Sequence, residues 1–105
     1  MSKKRIVVIC PGRGSYTRET SNYLKEYGAP VSKSIQWMDD QRETQGLFSL
    51  TNLDRQNFKA RTHMVGENAS SLIYACSFSD FMSIDRTKYE IVSVLGNSMG
   101  WYTAL

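Results

Sequence analysis

Apolar positions along this chain follow two different rhythms. Arg5-Ile6-Val7-Val8-Ile9-Cys10 is an unbroken β-branched run. Such a run predicts a strand buried on both faces, as in a parallel sheet. Tyr89 to Leu95, with Ile91, Val92, Val94 and Leu95, predicts a second strand of the same kind. Between the two, apolar residues return at helical spacing. A helix is expected over Thr17 to Tyr27, with Tyr16, Tyr23, Leu24 and Tyr27 on one side. Gly28 is a suitable residue just past its end, and Pro30 prevents continuation. Ser34 to Gln45 reads as helical around Ile35 and Met38, and Leu47 to Phe58 as a short helix flanked by turns. The clearest helical pattern starts at Gly66. Val65, Ala69, Leu72, Ile73 and Cys76 share a face, and Phe81 and Met82 extend the apolar surface. Asp85 to Lys88 is a polar break before the second strand.

Strand, glycine loop and helix, with a later strand of parallel type, predict an α/β fold. A chain of 105 residues is at most one small domain. Its composition, 41% hydrophobic and 22% charged with a mean hydropathy of −0.40, is that of a soluble globular chain. The net charge is +3, but apart from Lys3-Lys4-Arg5 the basic residues are scattered. No basic stripe interleaved with aromatics points to nucleic acid. Cys10 and Cys76 have no metal-like spacing, and the single histidine, His63, is close to neither in sequence. No metal site is therefore expected. Both cysteines read as small buried hydrophobes in a reducing compartment. No signal peptide precedes the first strand, and Ile6 to Cys10 is too short to span a membrane. A cytoplasmic protein is the expectation.

The second strand leads directly into Gly96-Asn97-Ser98-Met99-Gly100, a Gly-x-Ser-x-Gly pentapeptide. After a strand this pattern marks a nucleophile elbow, a turn so sharp that small residues must flank the serine at two positions. Ser98 is then the candidate nucleophile. A serine is weak at its free pKa and needs a general base, and the oxyanion formed on carbonyl attack needs donors. In elbow enzymes one donor is the backbone N–H after the serine, here Met99. A second comes from another loop of the same sheet. Pro11-Gly12-Arg13-Gly14, after the first strand, is suited to this, since Gly12 and Gly14 free the backbone to aim the Arg13 N–H. The plainer readings are a capped strand-to-helix turn at Ser98 and an ordinary glycine turn at residues 11–15. The first loop lacks the Gly-x-x-x-x-Gly-Lys-Ser pattern of a phosphate cradle.

Together the two loops resemble the malonyl-CoA:acyl carrier protein transacylase family. Val8-Ile9-Cys10-Pro11-Gly12-Arg13-Gly14-Ser15 is similar to that family's amino-terminal Phe-Pro-Gly-Gln-Gly-Ser stretch. Gly96-Asn97-Ser98-Met99-Gly100-Trp101-Tyr102-Thr103-Ala104-Leu105 resembles its Gly-His-Ser-Leu-Gly-Glu-Tyr-Thr-Ala-Leu. The separation of the motifs is similar too. The resemblance implies an α/β-hydrolase-like core, of which residues 1–105 would be the amino-terminal, incomplete part of a single acyltransferase domain. It implies that Ser98 attacks a malonyl-CoA or related acyl-CoA thioester and that acyl carrier protein takes the acyl group, as in fatty acid or polyketide synthesis. Arg13 and Met99 would supply the oxyanion hole, and no cofactor is required beyond the CoA thioester as substrate.

The chain departs from that pattern at three positions. Asn97 stands where the family has histidine, Trp101 where it has glutamate, and Arg13 where it has glutamine. Asn97 and Trp101 are thus candidates to shape the acyl pocket. The family's catalytic histidine and its carboxylate-binding arginine lie after the elbow and cannot be carried onto any residue here, so the isolated 105 residues are expected to be inactive and a completing downstream chain is a further expected partner. His63 reads as a solvent-exposed loop histidine, Asp39-Asp40 as a charged loop and Glu67 as a helix-start carboxylate. Trp101, Tyr102 and Leu105 are expected to lack packing, with an open sheet edge that favours aggregation. Three functions remain in view. They are a serine acyltransferase, an esterase or thioesterase using water as acceptor, and a non-catalytic module that binds acyl carrier protein or another partner. Malonyl, methylmalonyl and neutral acyl groups are all open as substrates.

Overall fold

A computed structural model of the chain describes residues 3–12, 14–97 and 100–104. The two β-branched runs form strands β1 (Lys4–Cys10) and β2 (Tyr89–Gly96), paired in parallel. The pairing runs from Lys4 opposite Tyr89 to Cys10 opposite Gly96. The ladder skips one residue, because Ile6 faces Ile91 and Val7 faces Ser93, leaving Val92 as a bulge. The helical crossover that parallel strands require lies between them. It comprises α1 (Tyr23–Tyr27), α2 (Ser32–Thr44), α3 (Leu50–Arg55), α4 (Ala60–His63) and α5 (Gly66–Met82). A last helix, α6 (Gly100–Ala104), follows β2 and packs on both strands and on α5. The architecture is a mixed helix-and-strand α/β arrangement around a two-stranded parallel sheet.

The helices carry their own core. Leu50, Leu53 and Leu72 are fully enclosed, joined by Tyr16, Leu24, Val31, Ile35, Ala69, Ile73, Ala75 and Cys76. Helix α5 matches its predicted limits, and Ala69, Leu72, Ile73 and Cys76 of the predicted face are buried, while Val65 and Met82 at its two ends are exposed. In α2 the inward residues are Ile35, Asp39 and Arg42, spaced four and three apart. Asp39-Asp40 is therefore not a charged loop. Asp39 is buried in mid-helix, and its carboxylate accepts from the Leu50 N–H (2.6 Å) and the Thr51 hydroxyl (2.6 Å) at the start of α3. The Leu50 N–H is one of the first-turn backbone donors that a helix leaves without an internal partner.

The helix expected over Thr17 to Tyr27 is broken. A single 3₁₀ turn covers Arg18–Thr20, and Asn22 sits in the left-handed region (φ 67°) before α1 begins. Helix α1 has no side-chain cap of its own. Asp54 of α3 supplies one, accepting from the Leu24 and Lys25 N–H groups at 3.1 Å each, and from the Tyr16 hydroxyl at 2.9 Å. Gly28 ends α1 with its N–H on the Leu24 carbonyl, in right-handed backbone.

The strands depart further from expectation. Both were to be buried on two faces. In the structure Ile6, Val8, Ile91 and Val94 are half-buried, while Val7 is 50% and Ile9 67% exposed, with Val92 and Leu95 also open. The sequence supplies an apolar second face, and no described residue covers it. Among the described residues, one face of the pair meets the helical side and the other meets solvent.

Candidate functional site

The two motif loops meet at the carboxyl ends of the paired strands. Cys10 and Gly96 are opposite one another in the ladder, and the Asn97 N–H continues it by donating to the Cys10 carbonyl at 3.0 Å. The Gly100 N–H donates to the Asn97 carbonyl at 2.9 Å. Gly100 is buried and presses on the first loop. A Cβ there would lie 2.1 Å from the Cys10 oxygen, 2.8 Å from the Cys10 carbonyl carbon and 2.8 Å from the Pro11 oxygen. All three neighbours are backbone atoms that cannot swing away. Only glycine lets α6 start this close to the end of β1. In the first loop Gly14 has φ +91°, a conformation that L side chains rarely adopt, and the Ser15 N–H folds back toward the Gly12 carbonyl (3.4 Å).

The glycines singled out in the sequence are thus brought together. Gly12 and Gly14 shape one loop, Gly96 ends the ladder, and Gly100 seals the contact. Asn97 is exposed beside them. Ser98, Arg13 and Met99, the candidate nucleophile and oxyanion donors, lie outside the described residues. So do Leu105 and the side chains of Trp101 and Tyr102.

The other candidate groups are occupied elsewhere. His63 is not an exposed loop histidine. It ends α4, is fully buried, and stacks between Tyr16 and Phe58. Its Nε2 lies 2.8 Å from the Leu53 carbonyl and its Nδ1 accepts from the Lys59 N–H at 3.0 Å. The tautomer protonated on Nε2 satisfies both contacts. With both ring nitrogens engaged, the sole histidine of the sequence holds α3 to α4 and is not free to take a proton from a serine. Glu67 does lie in the first turn of α5, as expected. Its carbonyl and the Asn68 and Ser71 side chains receive the buried Arg42 guanidinium, whose Nε also donates to the Phe48 carbonyl at 2.7 Å. Burial pushes the Cys76 thiol up to about 12, with the Asp54 and Asp80 carboxylates adding to the shift, so it stays protonated and unreactive. Burial, and then Asp54, likewise raise the Tyr16 hydroxyl well above its ordinary range. Cys10 is buried at the end of β1. Among the described residues no group of three or more His, Cys, Asp or Glu is placed to hold a metal ion. Among them, too, no helix is long and apolar enough to cross a membrane.

No family model matches the chain, and no curated protein or solved structure matches it. Beside the loops the structure contains a feature absent from the sequence reading, a cavity of about 460 Å³ between the sheet, α5 and α6. Tyr74, Phe78 and Phe81 of α5 line it. They recur at intervals of four and three, a second apolar stripe beside the one that faces the core. That stripe was the available signal, but Phe81 reads equally well as an extension of the core face.

Proposed function

We propose that this chain carries the nucleophile-elbow and oxyanion-loop portion of a serine acyltransferase resembling the malonyl-CoA:acyl carrier protein transacylases. The enclosing fold would be an α/β-hydrolase-like core. The observation that supports this most is the junction of the two loops, with the Asn97 N–H on the Cys10 carbonyl and Gly100 against the Cys10 and Pro11 backbone. An elbow enzyme needs the loop after a neighbouring strand within reach of its serine. Ligand sites of open parallel sheets also lie outside the carboxyl ends of the strands.

In this reading the Ser98 oxygen attacks the thioester carbonyl carbon of an acyl-CoA. The negative charge collects on the carbonyl oxygen, where the Arg13 and Met99 N–H groups would stabilise it. Collapse breaks the C–S bond. CoA departs as the thiol, taking the proton the serine gave up, and leaves an acyl-serine. The thiol of acyl carrier protein then attacks the ester carbonyl, restoring the serine and forming a new thioester. The proton passes through a general base, and His63 does not fill that role, since both its ring nitrogens are engaged.

Intact-mass analysis after exposure to acyl-CoA donors, with imidazole added to the solution as the general base, tests the proposal. One acyl group should be added, mapping to the peptide over residues 96–100, and the Ser98→Ala variant should gain none. Equal labelling of both proteins, or none of either, overturns it. An adduct that water discharges as fast in the absence of acyl carrier protein as in its presence would assign a thioesterase instead.

A further inference from the structure

The cavity beside the loops has a chemistry of its own. Val8 and Val94 form its sheet wall, Phe78 and Phe81 its helix wall, and Ile84 lies in the connection after α5. Pro11 of the first loop and Thr103 of α6 also line it, so it is continuous with the two segments that meet at the elbow. Its size is that of a small-molecule site. Among the described lining residues none is a lysine or arginine. Arg86, whose guanidinium lies 4.8 Å from the centroid of the Phe81 ring, is not one of them. The ionisable carboxyl in the wall is Asp80, which accepts from the Tyr23 hydroxyl. A second carboxylate brought into this cavity would be desolvated against apolar walls and would face a like charge.

The geometry points to a binding site for the neutral, medium-length hydrocarbon chain of an acyl thioester, with carboxylate-bearing acyl groups such as malonyl disfavoured. This rests on the acyl-transfer reading for its location and on the cavity for its selectivity. The alkyl chain lies between the sheet and α5, displacing water from Val8, Val94, Phe78 and Phe81. The thioester end lies toward Pro11 and Thr103. Ser77, which also lines the cavity, sets how much of the chain fits.

The test compares octanoyl-CoA, acetyl-CoA and malonyl-CoA by titration calorimetry on the full chain, so that only the acyl group differs. Octanoyl-CoA should bind at least about tenfold more tightly than either of the others, the effect of a few buried methylene groups. The Ser98→Ala variant should keep that ratio. Ser77→Trp and Ile84→Trp, which fill the cavity from two different segments, should each abolish it while acetyl-CoA affinity and the far-ultraviolet circular dichroism stay unchanged. Malonyl-CoA binding as tightly as octanoyl-CoA, or a ratio untouched by both tryptophan variants that retain their fold, overturns the inference. Acyl-serine formation, read by mass in the same samples, separates the two proposals. Preferential malonylation of Ser98 leaves the transferase reading standing and sinks the hydrocarbon site. Cavity-dependent octanoyl-CoA binding with no acyl-serine from any donor does the reverse.

Discussion

The helical body over residues 16–82 and the strand pair with α6 are both rich in apolar residues, yet they are stabilised in different ways. In the body, Leu50, Leu53 and Leu72 are completely enclosed, and the buried Asp39, Arg42, Asp54 and His63 side chains find partners. Asp54 closes the start of α1, Asp39 closes the start of α3, and Arg42 is met by carbonyl and side-chain oxygens from the turn before α3 and the first turns of α5. In the strand pair, Val7, Ile9, Val92 and Leu95 face outward. What holds it is one hydrogen-bonded ladder, the packing of α6 on both strands and the glycine contact at Gly100. A two-stranded sheet is marginal without a covered face. The comparison teaches that the candidate site is built on the less supported half. Its geometry depends on backbone contacts at the strand ends more than on a packed core beneath them.

The sharpest test of that contrast sets one core residue against one strand residue. Leu72→Ala leaves a cavity in the enclosed core and should cost about 2–5 kcal/mol in urea unfolding. Ile9→Ala, at a position 67% exposed, should change stability by less than about 0.5 kcal/mol. Comparable losses at the two positions would mean that the sheet face is covered in solution and that the contrast is wrong.

Asp54→Ala should cost nearly as much as the core truncation, about 3 kcal/mol. It leaves the Leu24 and Lys25 N–H groups and the Tyr16 hydroxyl without their acceptor. Hydrogen exchange should show the damage at α1 while the Asn97 amide exchanges as before. Uniform acceleration at both places would instead make the body and the strand pair a single cooperative unit.

A smaller and opposite pattern is expected of Gly100→Ala. Its Cβ meets backbone, so α6 must move away from β1 at a cost of about 1–3 kcal/mol. Exchange of the Asn97 amide should rise sharply with the α5 amides unchanged. Protection of Asn97 equal to that of the unmodified chain would refute the close approach.

The smallest effect is one of pH. Folding raises the Cys76 thiol from its ordinary 9.0 up to about 12, so the folded state favours the protonated form. The stability this contributes is complete below pH 9 and is lost as pH climbs from 9 toward 12. Over that interval the urea midpoint should fall more steeply in the unmodified chain than in Cys76→Ala. Parallel slopes would show that the thiol is not buried as described.

Much of the body was legible in the sequence because helical periodicity reports burial directly. The limits of α5, the short helix within residues 47–58 and the polar turn before β2 all follow from it. Three features were not legible, for physical reasons that the residues make plain. Asp39 and His63 look like solvated polar residues, since nothing local reveals that one will cap a helix eleven residues ahead and the other will bond a carbonyl ten residues behind. The break at Asn22 depends on Asp54, thirty-two positions away, which accepts from the α1 amides and offers its carbonyl to the Asn22 N–H. The strands were correctly read as strands, but their β-branched composition records what the segment is suited to bury, not what these residues cover. At the site, the glycine pattern anticipated the loops that meet. The cavity escaped notice because its stripe on α5 has the same spacing as a core stripe.

The bulge at Val92 has one more consequence. Before it, Ile91 points to the helical side, and after it Val94 and Gly96 do, so the inserted residue reverses the alternation halfway along β2. Removing Val92 would leave Ile91, Ser93, Val94, Leu95 and Gly96 in regular alternation, each on the face it already occupies and opposite the partner it already has. A one-residue deletion at this point would therefore straighten β2 and still bring Gly96 opposite Cys10 at the junction.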